Sequence, residues 1–196
     1  MEINSHSLEN VKNDVARAAR LTADYVRLTR EDIERLHGAA AMVEPHIHQV
    51  SSNVLESLLG DPDARKIVEE TGLTVERALA LFDAWLRDVF RGGYDEKHAL
   101  RVFKIGLAHV MAGVDERLMI SNMGAFAREL AGLKLGEEIS EPLAKALFWN
   151  LSVMVYSYEY VKALVIERAI GTSRELYRRL VKIFSKTIYD QLLSIS

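Results

Sequence analysis

Residues 103–113 read FKIGLAHVMAG, and the His109 imidazole is the group in that run able to bind a metal or move a proton. Helical spacing places Val102, Ile105, Gly106, His109 and Val110 on one face, with Lys97, Arg101, Lys104 and Ala108 on the other. His109 is therefore expected to point inward. A buried neutral imidazole needs a partner for each nitrogen, and an unmet one costs about 1–3 kcal/mol. Metal coordination satisfies one nitrogen and a backbone carbonyl takes the proton of the other. Gly106 stands one turn earlier on that face. A glycine in mid-helix costs about 1 kcal/mol relative to alanine, which the close approach of something flat explains. The plainer alternative is a core histidine satisfied by protein groups alone.

Other candidate groups carry less. His46 and His48 in EPHIHQV resemble a metal pair, but residues two apart face different sides of a helix. His98, near a helix start, is expected to be solvated. The chain contains no cysteine, which excludes disulfides, thiolate metal sites and cysteine nucleophiles. No catalytic acid–base pair is readable. A net charge of −3 over 196 residues, with no concentrated basic run, argues against nucleic acid as a partner. The N-terminal MEINSHSLENVKNDV is too polar for a signal peptide. The apolar window ALFWNLSVMVYSY is broken at Glu159 and Lys162 and too short to span a bilayer. The expectation is a soluble, cytoplasmic protein of one ordinary domain, without a membrane partner.

The elements that must position these groups read as helices almost throughout. The first is expected over Leu8–Val26. Thr29 caps the second, with Asp32 placed for a capping box, and Pro45 kinks or ends it. Gly60 stops a third, Asp61-Pro62 opens a short fourth, and Thr74 opens a fifth that ends at Gly92-Gly93. Asp95 opens the His109 helix, which Gly113 ends, and Asp115 opens the next, to about Leu133. A long apolar helix is expected over Glu141–Ile170. After Gly171-Thr172-Ser173 an amphipathic helix carries Leu176, Leu180, Ile183, Phe184 and Ile188 on one stripe, as a packed terminal helix or a signalling helix. The fold class is all-α, with eight or nine helices.

The stretch DVFRGGYDEKHALRVFKIGLAHVMAGVDERLMI resembles the haem-bearing domain of globin-coupled sensors and their relatives, the protoglobins and single-domain sensor globins. Phe90, Gly92, Asp95, Ile105, His109 and Gly113 match the family's F-x-G turn, acidic helix start, isoleucine-bearing helix and proximal histidine. RLTREDIERL resembles the start of the first globin helix. The pattern runs from Arg27 to about Ile120 without a large gap, and the C-terminal third matches in helix length and apolarity. The resemblance implies a globin fold with an extra N-terminal helix (residues 1–28), a globin domain (29–170) and an additional C-terminal helix (171–196). It also implies haem b, His109 as its iron ligand, and a homodimer through the last two globin helices. Departures are Met111-Ala112 in place of Arg-Ile, no proline in GVDERL, and Met119 where the family often has a tyrosine.

Laid on the same helices, the family's tyrosine that donates to bound oxygen falls on Leu55, and a second polar position falls on Leu81. Leucine cannot donate a hydrogen bond, so an apolar gas pocket is expected. Arg77 can supply a donor only by swinging inward, Trp85 is expected at the haem edge or in the core, and Met123 and Met154 are candidates to pack on haem. The leading function is a gas sensor for oxygen, carbon monoxide or nitric oxide, with a separate output partner as an option. The alternatives are a haem-free interaction module and a haem enzyme of peroxidase or nitric oxide dioxygenase type.

Overall fold

Side-chain caps set most of the helix boundaries. In the computed structural model, which describes residues 5–193, α1 (Ser5–Val26) is followed by α2 (Arg30–Val43). The α2 start is the expected capping box: Thr29 Oγ1 accepts from the Asp32 N–H at 3.2 Å, and Asp32 Oδ2 accepts from the Thr29 N–H at 2.8 Å. Pro45 lies in a 3₁₀ turn, Glu44–His46, that leads into α3 (Ile47–Gly60). Asp61, Thr74, Asp95 and Asp115 each cap the helix that follows: α4 (Pro62–Thr71), α5 (Val75–Arg91), α6 (Glu96–Met111) and α7 (Glu116–Gly132).

The long α8 (Glu137–Val165) begins four residues before the expected start. Gly136, at φ 107°, supplies the left-handed turn that lets the chain enter it. Pro142 is then inside the helix, where it removes the bond that would end on the Glu138 carbonyl. A π turn, Ile166–Ile170, and Gly171 at φ 71° precede α9 (Arg174–Leu193). Among the described residues the secondary structure is helical only, and no helix is long and apolar enough to cross a membrane.

The chain divides into two compact units, Met1–Ser157 and Tyr158–Ser196. The termini of the expected segments 1–28 and 171–196, residues 1–4 and 194–196, lie outside the described residues. In the first unit α3 packs on α4, α5 and α7, α2 packs on α5, and α1 packs on α6. Trp149 is fully buried, and its Nε1 donates to the Ala19 carbonyl at 3.0 Å, joining α8 to α1. Lys145 reaches the capping carboxylate of Asp32 at 3.1 Å and so joins α8 to α2. In the second unit, Leu176, Leu180, Ile183, Phe184 and Ile188 of α9 are all exposed.

Candidate functional site

Two faces of α6 do different work: Val102 and Gly106 of the inner face are buried, and Lys97, Arg101, Lys104 and Ala108 of the outer face are exposed. His98, Ala99, Val102, Phe103 and Gly106 are the buried residues of α6. A Cβ on Gly106 would collide with Ser157 Oγ and lie 2.7 Å from the Met154 carbonyl oxygen. The close neighbour that requires glycine is therefore α8, and the expectation of a flat group against Gly106 is corrected. Arg101, Lys104, Ile105, Ala108 and His109 instead line a cavity of about 910 Å³. Three of these five belong to the face read as solvent-facing.

The rest of the cavity wall is largely apolar. Ile67 and Val68 of α4, Leu81, Phe82 and Trp85 of α5, Leu118, Met119, Met123 and Phe126 of α7, and Met154 of α8 all line it. Phe126 packs against Trp85 and Phe82, with ring centroids 4.7 and 5.2 Å apart. Trp85 Nε1 donates to Asn150 Oδ1 at 3.3 Å, and Asn150 Nδ2 donates to the Ala146 carbonyl at 2.9 Å. The indole ring is thus fixed to α8 with its donor already used.

His109 Nδ1 lies 2.9 Å from the Ile105 carbonyl oxygen. A carbonyl only accepts, so Nδ1 carries the proton and the neutral ring presents a bare Nε2 lone pair. Burial pushes the imidazole below its ordinary pKa, while the Ile105 bond works in the opposite direction. The result is a neutral imidazole on the cavity wall, in the tautomer a metal ligand needs.

Cations line the cavity as well. Arg101 makes a two-pronged bond to Asp88, Nε to Oδ2 at 3.2 Å and Nη2 to Oδ1 at 2.9 Å. Arg87 and Arg91 both bind Glu44, at 2.7 and 2.8 Å. Arg77 and Lys104 are exposed, and neither side chain has an ion-pair or hydrogen-bond partner among the described residues.

His98 is fully buried, which corrects the expectation of a solvated side chain. Its Nδ1 accepts from the Tyr94 N–H at 3.1 Å, and its Nε2 lies 3.2 Å from Asp88 Oδ2, off the line of a good hydrogen bond. The ring packs on Tyr94 and Trp149, with centroids 4.7 and 5.1 Å away. A Cβ on Gly92 would occupy the space of this ring and lie 2.5 Å from the Asp88 carbonyl oxygen. The glycine of the F-x-G turn is thus there for His98.

The Protoglobin family profile matches residues 16–192. The chain belongs to the protoglobin family. The solved globin domain of a Geobacter sulfurreducens globin-coupled sensor matches with a TM-score of 0.66 at 23% identity, over 71% of this chain and 96% of that one. The fold is the all-α globin fold. No curated protein matches the sequence.

Within the protoglobin fold, His109, Leu81, Trp85, Ile105, Met119 and Met123 all line the one cavity, as does Met154. Leu81 does so from an exposed position, at 55%. Leu55 and Gly106 are buried and are not among the residues of the cavity wall. Sequence reasoning missed Phe82, Leu118, Asn122 and Phe126. The last three fall four residues apart on α7, a periodicity that was available to find them. His48 Nδ1 lies 3.2 Å from Asp83 Oδ2, at an exposed position away from the cavity wall.

Proposed function

We propose that this protoglobin binds haem b in the 910 Å³ cavity, with His109 Nε2 as the iron ligand, and senses a diatomic gas: oxygen, carbon monoxide or nitric oxide. The single observation that carries the reading is the bare Nε2 of a half-buried neutral imidazole on the wall of a large apolar cavity. The volume lies at the upper end of the usual range for cofactor sites, about 300–1,000 Å³. Haem, held by His109, would supply the iron that binds the gas. The protein's own part is to hold the imidazole in one tautomer through Ile105, to shield the macrocycle with Leu118, Met119 and Phe126, and to meet its carboxylates with Arg77 and Lys104.

A haem-free interaction module has no use for a cavity-lining imidazole with one nitrogen uncommitted. Peroxidase or dioxygenase chemistry is ranked lower, because a committed acid–base pair is lacking on the described cavity wall. The proposed homodimer would use α7 and α8. An apolar groove of about 390 Å³ lies between them, lined by Leu143, Leu147 and Leu151, and Ile120 and Phe148 beside it are exposed. Sedimentation of the purified protein as a monomer at micromolar concentration would remove that part of the proposal.

The decisive test is an absorption spectrum after haem addition. A Soret band that titrates to one haem per chain is expected, with a five-coordinate ferrous form that takes up carbon monoxide. Failure to retain haem through gel filtration would eliminate the sensor and the enzyme readings together.

A further inference from the structure

Most polar groups on the cavity wall are already spent. The Trp85 donor goes to Asn150, Thr71 Oγ1 goes to the Ile67 and Val68 carbonyls, and Asp88 is held by Arg101. Arg87 and Arg91 are held by Glu44. Arg77 and Lys104 are uncommitted but exposed, where a carboxylate can meet them.

Asn122 differs from all of these. It lines the cavity from α7, half-buried, and its Oδ1 is buried without a hydrogen-bond partner. A buried amide oxygen without a partner is uncommon in a folded protein and calls for something in the space before it. The amide lines the cavity from a half-buried position, whereas Arg77 and Lys104 are exposed. Phe126, one turn further along α7, packs directly on Trp85. Oxygen and nitrogen of a carboxamide exchange places by a half-turn about one bond, so Nδ2 can face the cavity.

We infer that the Asn122 carboxamide is the hydrogen-bond donor to the gas ligand, on the side of the haem away from His109. This rests on the haem reading above. It replaces the expectation of a wholly apolar gas pocket: Leu55 and Leu81 cannot donate, and an asparagine on a different helix takes that role. A donor here favours oxygen, which carries partial negative charge when bound, over carbon monoxide, which carries less. The site is therefore specified for a polar diatomic ligand.

The test compares wild type with Asn122→Leu and Asn122→Ala, both reconstituted with haem. A donor near carbon monoxide lowers its C–O stretching frequency. Both variants should therefore shift that frequency upward and release oxygen about five- to tenfold faster, the ratio for one ordinary hydrogen bond. The iron–histidine stretching frequency should stay where it is. An unmoved C–O band and oxygen off-rate in both variants, with the Soret band intact, would overturn the inference and leave the haem reading standing. A shift confined to the iron–histidine band would overturn it too, by placing the amide on the His109 side. Failure of wild type to take up haem would instead remove the haem reading, and this inference with it. The haem-free protein gives an independent check. Asn122→Leu should raise its melting temperature, because an unmet polar group is removed, whereas a fall of several degrees would mean that the protein itself satisfies the amide.

Discussion

The Ile105 carbonyl accepts from His109 Nδ1 at 2.9 Å, so one turn of α6 decides which nitrogen the cavity meets. The bond holds the ring plane and the tautomer together, with no side chain from another helix involved. A helix that already spends its own carbonyl on the ring needs no separate carboxylate to orient it.

Replacing His109 with glycine should abolish the five-coordinate ferrous spectrum while leaving the helical content intact. Free imidazole added to the variant should restore much of the Soret intensity, because the cavity that would admit it is already formed. Absence of rescue, with haem still bound as in wild type, would show that another residue ligates the iron.

Stability should fall as the solution is made mildly acidic. Burial pushes both His98 and His109 below the ordinary value of 6.5, with Asp88 opposing the shift at His98. Between the lowered folded values and 6.5 the unfolded chain holds more protons than the folded one. The stabilisation is thus fully present above 6.5 and is lost as pH falls through the folded values. The melting temperature should drop between about pH 7.5 and about pH 5.5, a range in which unperturbed carboxylates stay ionised. His98→Gln should flatten part of that slope, and an equal slope in the variant would count against the assignment.

Gly92→Ala should cost about 2 kcal/mol or more, since the new methyl group meets the His98 ring and the Asp88 carbonyl. The ring can move and the backbone cannot. Pairing it with His98→Ala should therefore recover only part of the loss, a coupling that a double-mutant cycle in urea can measure.

Lys104→Glu and Arg77→Glu should each speed haem loss to a haem-scavenging protein by a few-fold, and more so at low salt. Both groups are exposed, so each contributes only about 0.2–1 kcal/mol. Lys66→Glu, a cation whose side chain is absent from the cavity wall, serves as the control.

The helices were legible because their ends are chemical. Thr29, Asp61, Thr74, Asp95 and Asp115 each announce a start that the structure confirms. The family was legible from Phe90, Gly92 and the spacing to His109. The site was less so, for a physical reason. Periodicity finds the face that packs on protein, and on α6 that face carries Val102 and Gly106. Arg101, Lys104 and Ala108 are exposed as read, and periodicity does not tell that they also border the cavity. His98 was misread for another cause: its partners Tyr94, Asp88 and Trp149 come from three separate elements. Asn122 shares the four-residue spacing of Leu118 and Phe126, but as a polar residue it does not read as part of an apolar face.

Gly106 brings the α6 backbone so near Met154 and Ser157 that no methyl group fits between them. Longer side chains at such a junction would act as springs, absorbing a small displacement by changing rotamer. A glycine set against a carbonyl leaves nothing soft to deform. His109 stands three residues further on, so a pull on its ring reaches α8 at Met154–Ser157 as through a rigid rod.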